Sequence, residues 1–322
     1  MRGSRAARRL YFSPHKDGAS SRVQTPRPPS DRHATALSCI AVPPPHITAA
    51  FAGRRSPDPK AARAIVKTLD PARPPEPFFE MLRAAGERLL VLDYDGTLAP
   101  FTARREDASL YPGIAPLLAA IQRQGTRIAF VTGRPAADLA ARIPLQGVEI
   151  FGAHGQEHLA PCGHLTRAAL APSSRQWLDA SALRIASAGF AHALERKHGT
   201  VAIHWRHEQP DGRVCLEGLA RDIARGLPAD VQGLAFDGGY EFRVRGRDKG
   251  TAVADLAARH PQAIMAYLGD DLTDEDAFTA LPPTGLGVLV RATLRDTRAH
   301  LWLRPPDELH AFLKSWMTAV KP

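Results

Sequence analysis

A continuous apolar run, Leu89 to Leu92, ends on two carboxylates in the segment Asp93-Tyr94-Asp95-Gly96-Thr97-Leu98. Four consecutive apolar residues suit a strand buried on both faces, the habit of a parallel sheet. Parallel strands need helical crossovers, and the flanking sequence supplies them. A short helix is expected over residues 78–87 and leads straight into the strand at 88–93. After a loop come a helix over 113–124, a strand over 127–131, a helix opening near Pro135 and a strand over 148–151. The order βαβαβ is that of an α/β fold.

From about residue 158 to 243 the pattern changes. Residues 173–198 read as mostly helical, 200–206 alternate, 213–225 are helical, and 234–236 and 240–245 read as short strands. The α/β pattern then resumes with a helix over 250–259, a strand over 264–268, a helix over 274–280, a strand over 287–290 and a terminal helix over 308–318. The simplest account is a doubly wound, mostly parallel sheet interrupted by an inserted α+β unit. The core is expected over 78–158 and 244–322 and the insertion over 159–243.

Charge constrains the partners. The chain has 42 Lys+Arg against 33 Asp+Glu, a formal +9 that taken whole would suit a nucleic-acid or acidic-membrane partner. The excess is local. Residues 1–69 hold 13 of the bases and only three acids, Asp17, Asp31 and Asp58, leaving 29 bases against 30 acids beyond them. Residues 1–77 are Arg-, Ser- and Pro-rich without helical or strand period, and disorder is expected there. An organellar transit peptide and sequence upstream of the true start codon share that composition. Neither a nucleic-acid nor a membrane partner is expected, since no stretch reaches the ~18 uninterrupted apolar residues of a membrane span. Three scattered cysteines, Cys39, Cys162 and Cys215, make neither a disulfide framework nor a zinc site. A soluble, monomeric protein of a reducing compartment, the cytoplasm, is expected.

The chemistry gathers at strand ends. In open α/β sheets ligands bind beyond the carboxyl ends of the strands, where Asp93 and Asp95 stand. Like charges placed together call for a cation, and a hard ion such as Mg2+ suits carboxylates plus a phosphate oxygen. A second acidic cluster, Gly269-Asp270-Asp271-Leu272-Thr273-Asp274-Glu275-Asp276, follows another apolar strand. Part of it reads as the negative first turn of a helix. Asp270, at the strand end, would complete an oxygen-ligand set for Mg2+ with Asp93 and Asp95, and Asp271 and Asp274 would orient loop and ligands. Thr132, in Val131-Thr132-Gly133-Arg134-Pro135, sits at a third strand end beside a helix N-terminus, an arrangement that can cradle phosphate. Lys249 opens a later helix and offers a compact positive charge. On the alternating segment 200–206, Val201, Ile203 and Trp205 share one face and Ala202, His204 and Arg206 the other, as Phe242 and Val244 oppose Glu241 and Arg243. A sheet with one polar face meets water or a polar ligand on that side.

The order Asp93–Asp95 loop, Thr132, Lys249, Asp270 loop resembles that of the haloacid dehalogenase superfamily, across about residues 85–295. More narrowly the chain is similar to the trehalose-6-phosphate phosphatase family. Gly152-Ala153-His154-Gly155-Gln156-Glu157 resembles its Gly-x-His-Gly-x-Glu signature. Glu195-Arg196-Lys197 and His204-Trp205-Arg206 resemble its Glu-x-Lys and His-Tyr-Arg elements, with Trp205 in the tyrosine position. Glu241-Phe242-Arg243 is similar to its Glu-x-Arg/Lys-Pro element, with Val244 where proline is usual.

The resemblance implies a haloacid dehalogenase-like core with an α+β cap. It implies Mg2+-dependent hydrolysis of trehalose 6-phosphate through an aspartyl-phosphate. Asp93 would be the nucleophile and Asp95 the general acid and base, with Mg2+ on the Asp93 carboxylate, the Asp95 backbone carbonyl and Asp270. Thr132 and Lys249 would hold phosphate oxygens. Substrate contacts would come from Glu195, Lys197, His204, Arg206 and Glu241 on the cap, and from Arg134, His154 and Glu157 on the core. Another capped sugar-phosphate phosphatase and a non-catalytic sugar-phosphate sensor are the alternatives.

Overall fold

A computed structural model describes residues 67–102, 107–236 and 238–321, all within one compact unit. The disorder expected for the N-terminal segment lies outside the described residues up to residue 66. Its last stretch departs from expectation. β1 (Lys67–Thr68) pairs antiparallel with a C-terminal strand, and α1 (Pro75–Ala84) starts before residue 78. The prolines that read as coil, Pro75 and Pro77, fall in the first helical turn, where the missing N–H has no intrahelical acceptor to lose.

β2 (Glu87–Leu92) is the central strand, followed by α2 (Ile114–Arg123), β3 (Thr126–Val131), α3 (Ala136–Arg142) and β4 (Glu149–Gly152). The chain then makes a hairpin, β5 (Glu157–Leu159) and β6 (Leu165–Arg167), which extends the same sheet antiparallel. Residues 159–167 therefore belong to the first sheet rather than to the insertion. Pro161 and Gly163 turn the hairpin, and its two short strands carry too little apolar alternation to be read from sequence.

The insertion begins with α4 (Pro172–Ile185). The helix expected to reach residue 198 does not do so. Gly189 adopts φ +88°, the chain leaves helical geometry, and residues 194–197 form β7 (Leu194–Lys197). There follow β8 (Thr200–His204), α5 (Pro210–Ala224), β9 (Val231–Phe236) and β10 (Gly239–Val244). Strand order is β7-β8-β10-β9, all antiparallel. The alternation expected through residue 206 stops at His204, so Trp205 and Arg206 lie beyond the strand. One face of this sheet packs Val201, Ile203, Phe242 and Val244 against Leu178 and Ile185 of α4 and Leu216 and Ile223 of α5.

The chain returns through α6 (Lys249–Arg259), β11 (Ala263–Gly269), α7 (Asp274–Ala280), β12 (Leu286–Val290), β13 (Leu301–Leu303) and α8 (Asp307–Ala319). The first sheet runs β1-β13-β12-β11-β2-β3-β4-β5-β6, with the six strands from β13 to β4 parallel. Alternate residues of β2 face opposite cores, Leu90 and Leu92 toward the cluster with Leu118, Phe312 and Trp316, and Leu89 and Val91 toward the cluster with Val253 and Leu256. Burial on both faces is what made this strand legible. β11 lies beside β2 although most of the chain separates them, so the order of connections reverses between these two strands. That reversal opens a crevice beyond their carboxyl ends. Among the described residues, no helix is long and apolar enough to cross a membrane.

Candidate active site

The register Leu268↔Leu92 sets the ends of β11 and β2 level, so Asp93 and Asp270 emerge side by side. The Asp93 N–H donates to the Leu268 carbonyl at 2.9 Å, and Thr97 Oγ1 donates to Asp270 Oδ1 at 3.2 Å. Gly96, at φ +84°, is required here, because a Cβ would stand 2.3 Å from Asp270 Oδ2. Arg291 Nη1 and Arg295 Nε brace the second loop from below, each 3.3 Å from the Asp270 carbonyl oxygen.

Asp274 organises the acidic loop. Its Oδ1 accepts from Lys249 Nζ at 2.8 Å and from the Tyr267 hydroxyl, and its Oδ2 accepts from the backbone N–H of Asp270 and of Asp271, both at 2.9 Å. Four donors occupy its lone pairs, so this carboxylate ties Lys249 and Tyr267 to the backbone of the loop. Asp271 Oδ1 accepts from the Thr273 backbone N–H at 2.8 Å and from the Thr273 hydroxyl at 2.6 Å, which fixes the turn into α7. Sequence reasoning passed over Tyr267; a tyrosine inside a buried strand needs an acceptor for its hydroxyl, and that was the available signal.

Lys249 Nζ also lies 3.3 Å from Asp93 Oδ1 and 3.8 Å from Asp271 Oδ1. Burial would lower its pKa, but Asp274, Asp93 and Asp271 outweigh burial and push it well above the ordinary lysine range. Burial pushes Asp93 and Asp270 well above the usual carboxylate range and Asp274 up to about 6. One oxygen each of Asp93, Asp270 and Asp274 lie within 4.8 Å of one another. Three buried carboxylates around a single ammonium leave an excess of negative charge, and with the Asp274 oxygens already engaged by four donors it is Asp93 and Asp270 that keep lone pairs for a hard divalent cation.

Thr132 is fully buried at the end of β3. Its Oγ1 accepts from the Arg134 N–H at 3.1 Å, which leaves the hydroxyl proton to be donated. Arg134 departs from its expected place among the substrate contacts. Its guanidinium grips both oxygens of Asp95 at 2.7 Å, reaches Asp138 Oδ2 at 3.1 Å, and lies over the Tyr94 ring. The bidentate guanidinium fixes the orientation of the Asp95 carboxylate.

Glu157 likewise has partners within the core. Its Oε2 accepts from the Ala136 N–H at 2.9 Å, at the start of α3, and its Oε1 from Arg167 Nε at 3.0 Å. Glu157→Ala should therefore cost about 1–3 kcal/mol through orphaned donors. A thermal midpoint lowered by several degrees checks this, because loss of a sugar contact alone would leave it unmoved.

Ala153 and His154 both adopt left-handed φ, +47° and +56°. The strained pair is held by Ala153 N–H on the Arg134 carbonyl at 2.7 Å and His154 N–H on the Thr132 carbonyl at 2.9 Å. The result presses the His154 ring onto Gly133, where a Cβ would stand 2.7 Å from Nε2, and brings Nε2 within 3.8 Å of Glu241 Oε2 on the second sheet. From that sheet Lys197 Nζ donates to the Gly133 carbonyl at 3.1 Å and lies 3.4 Å from Glu195 Oε2, which also contacts His204 Nε2 at 2.9 Å. Lys197, Glu195, His204 and Glu241 thus share one sheet face turned to the Thr132 loop. Arg206 lies in the exposed turn beyond β8. A cavity of about 630 Å³ lined by Phe151, His158, Arg167, Arg247 and Arg259 contains none of the acidic cluster, and its arginines already pair with Glu157, Asp255 and Glu149.

The sequence profile of the trehalose-phosphatase family matches residues 91–303. An uncharacterised glycosyl hydrolase of Mycobacterium tuberculosis is 35% identical over 213 residues, 62% of this chain and 16% of that protein. A trehalose-phosphate phosphatase of Mycobacterium bovis is 32% identical over 231 residues, 67% of this chain and 56% of that protein. The chain therefore spans little more than half of one curated relative and a small part of the other. The C-terminal domain of C. albicans trehalose-6-phosphate phosphatase has the same fold, with TM-score 0.64 and 21% identity over 79% of this chain and 99% of that one.

Proposed function

The chain belongs to the trehalose-phosphatase family, and from that premise we propose that it hydrolyses trehalose 6-phosphate to trehalose and phosphate through an aspartyl-phosphate on Asp93. One observation carries the reading: a buried Asp93 at the β2 end, level with Asp270 and 3.3 Å from the Lys249 ammonium. A carboxylate so placed faces whatever a bound phosphoryl group would present, with a cation already beside it.

In the first step Asp93 Oδ attacks phosphorus in line, forming the Asp93 O–P bond as the sugar O–P bond breaks, while Asp95 gives its proton to the departing sugar oxygen. In the second, Asp95 takes a proton from water, the water oxygen bonds to phosphorus, and the Asp93 O–P bond breaks to release phosphate. Thr132 donates its hydroxyl, and Lys249 its ammonium, to the non-bridging oxygens. The residues suited to hold Mg2+ are Asp93, the Asp95 backbone carbonyl and Asp270. When bound, the ion supplies charge that offsets repulsion between carboxylate and phosphoryl oxygens. Such an ion also favours the ionised Asp93 that the attack requires, against the upward push of burial.

The second sheet with α4 and α5 acts in this reading as a cap, the hairpin β5–β6 remaining with the core. Lys197, His204 and Glu241 supply sugar contacts as the cap meets the Thr132 loop, and closure excludes water from the reacting phosphate. Two exposed free thiols, Cys162 and Cys215, suit a reducing compartment, the cytoplasm.

Released phosphate tests the proposal, measured from trehalose 6-phosphate, glucose 6-phosphate and sucrose 6-phosphate with and without Mg2+. The expected outcome is a preference of about 100-fold or more for trehalose 6-phosphate in kcat/KM, and no turnover in excess chelator. Equal turnover of the three esters would turn the reading toward a general sugar-phosphate phosphatase. Full activity in chelator would remove the cation from it.

A further inference from the structure

Two stretches of chain join the second sheet and its helices to the first, residues 168–171 on entry and 245–248 on return. One core residue holds both crossings. The Gln156 backbone carbonyl accepts from the Ala168 N–H at 2.8 Å, and the Gln156 side-chain amide donates to the carbonyl of Val244, the last residue of β10, at 3.0 Å. The turn between β7 and β8 rests on the same side chain, since a Cβ on Gly199 would stand 3.2 Å from Gln156 Cδ. That turn is itself tied to both crossings. The Val244 N–H donates to the Gly199 carbonyl at 2.9 Å, and His198 Nε2 lies 2.7 Å from the Ala168 carbonyl oxygen. Gln156 fills an unspecified position of the Gly-x-His-Gly-x-Glu signature, so the family resemblance gives it no role.

Gln156 is 1% exposed. A buried amide costs free energy unless it is bonded, and a methionine would fill similar space without that cost. What the amide adds is a bond that passes from the first sheet to the second. The return crossing can otherwise bend at Gly246, which is exposed, at φ +95° and with nothing within 4 Å of a Cβ placed on it. The cavity of about 630 Å³ reaches Gln156, Ala168 and Arg247, so both crossings have room beside them. The same short segment touches the reacting site. Two residues before Gln156, His154 lies against the Thr132 loop, and the Gly155 carbonyl is 3.3 Å from Nε of Arg247, two residues before Lys249.

We propose that Gln156 is a positioning residue, the pin that fixes the pose in which the cap meets the core. Through it the Lys197 ammonium keeps its place 3.1 Å from the Gly133 carbonyl, and Glu241 its place 3.8 Å from His154 Nε2. A displacement of about 1 Å between groups that hold a substrate can cost about 100-fold in rate, so a slack pin is felt at the sugar. The consequence for turnover rests on the phosphatase reading above; the pinning of the cap does not.

Gln156→Met keeps the length of the side chain and removes the donor. In full-length protein carrying Cys39→Ser, spin labels on the two exposed thiols, Cys162 in the β5–β6 turn and Cys215 on α5, report the distance from core to cap by pulsed electron paramagnetic resonance. The distance distribution should be wider in the variant than in the parent. The variant's kcat/KM on trehalose 6-phosphate should fall about 10-fold or more, whereas that on p-nitrophenyl phosphate, which offers the cap no sugar hydroxyls, should hold. Gln156→Glu serves if the methionine variant does not fold, since at pH 8 a carboxylate of the same shape cannot donate, and the distribution should widen there as well. An unchanged distribution overturns the assignment, even if the thermal midpoint falls, because Gln156 would then act by packing alone. A wider distribution with equal effects on the two esters overturns it too, because the pose of the cap would not reach the sugar. Wild-type protein inert on trehalose 6-phosphate but active on another sugar phosphate sinks only the earlier reading, and the distance distribution, with the same comparison on that ester, then decides Gln156.

Discussion

Asp93→Asn is expected to lower phosphate release by about 10⁴-fold or more while leaving a folded protein at least as heat-stable as the wild type. The two halves of this result have separate causes. An amide is nearly isosteric with a carboxylate but is a poor nucleophile toward phosphorus, so no aspartyl-phosphate forms. Stability should not suffer, because burial, reinforced by Asp274, Asp271 and Asp95 and opposed by Lys249, makes the Asp93 carboxylate costly to keep ionised. Asparagine removes that cost, and Lys249 keeps its 2.8 Å bond to Asp274. Phosphate assays paired with thermal melts check both halves. Substantial activity in the variant would exclude Asp93 as nucleophile. A collapsed melt would mean that its loss acts through the fold.

The variant should also respond less to Mg2+. In the wild type a divalent ion is expected to raise the melting midpoint, since anything that binds the native state alone stabilises it. With one carboxylate gone from the cluster of Asp93, Asp270 and Asp274, that rise should shrink.

What could be read in advance follows a physical division. Strands buried on both faces announce themselves as apolar runs, so β2, β3, β11 and β12 were legible, and with them the positions of Asp93, Thr132 and Asp270 at strand ends. Which strands lie side by side was not legible from spacing. The adjacency of β2 and β11 depends on packing across most of the chain, and only the order of motifs hinted at it. Side-chain destinations were the least readable. Arg134 and Glu157 have the composition of ligand contacts, but one clamps Asp95 and the other caps α3. Ala153, of the left-handed pair, holds the Arg134 carbonyl, and Arg167 of the β5–β6 hairpin holds Glu157; neither the pair nor the hairpin has a periodic signature. The alternation of β10 gave the face on which Arg243 lies; that nothing meets its Nε and Nη1 could come only from three dimensions.

The largest stability loss is expected from Lys249→Met. The ammonium is 2% exposed and stands 2.8 Å from Asp274, 3.3 Å from Asp93 and 3.8 Å from Asp271. Methionine fills similar space but leaves those carboxylates around no positive charge. Removing one partner of a buried ion pair costs about 3–5 kcal/mol, and at about 2–4 °C per kcal/mol for a domain of this size the midpoint should fall by roughly 6–20 °C. The pH dependence carries the sign of the cause. Because the folded-state pKa of Lys249 is raised, its own contribution is complete at neutral pH and is lost only as pH climbs above the ordinary lysine range. Asp274 is already raised to about 6, and without the ammonium it should rise further. A carboxyl raised on folding favours the native state at low pH and disfavours it as pH climbs through the folded value. The variant's deficit should therefore be smaller near pH 5 than near pH 8, and millimolar Mg2+ at pH 8 should restore part of it. A deficit equal at both values and indifferent to Mg2+ would show that Lys249 stabilises by packing alone, and the excess of negative charge inferred for the cluster would have to be abandoned.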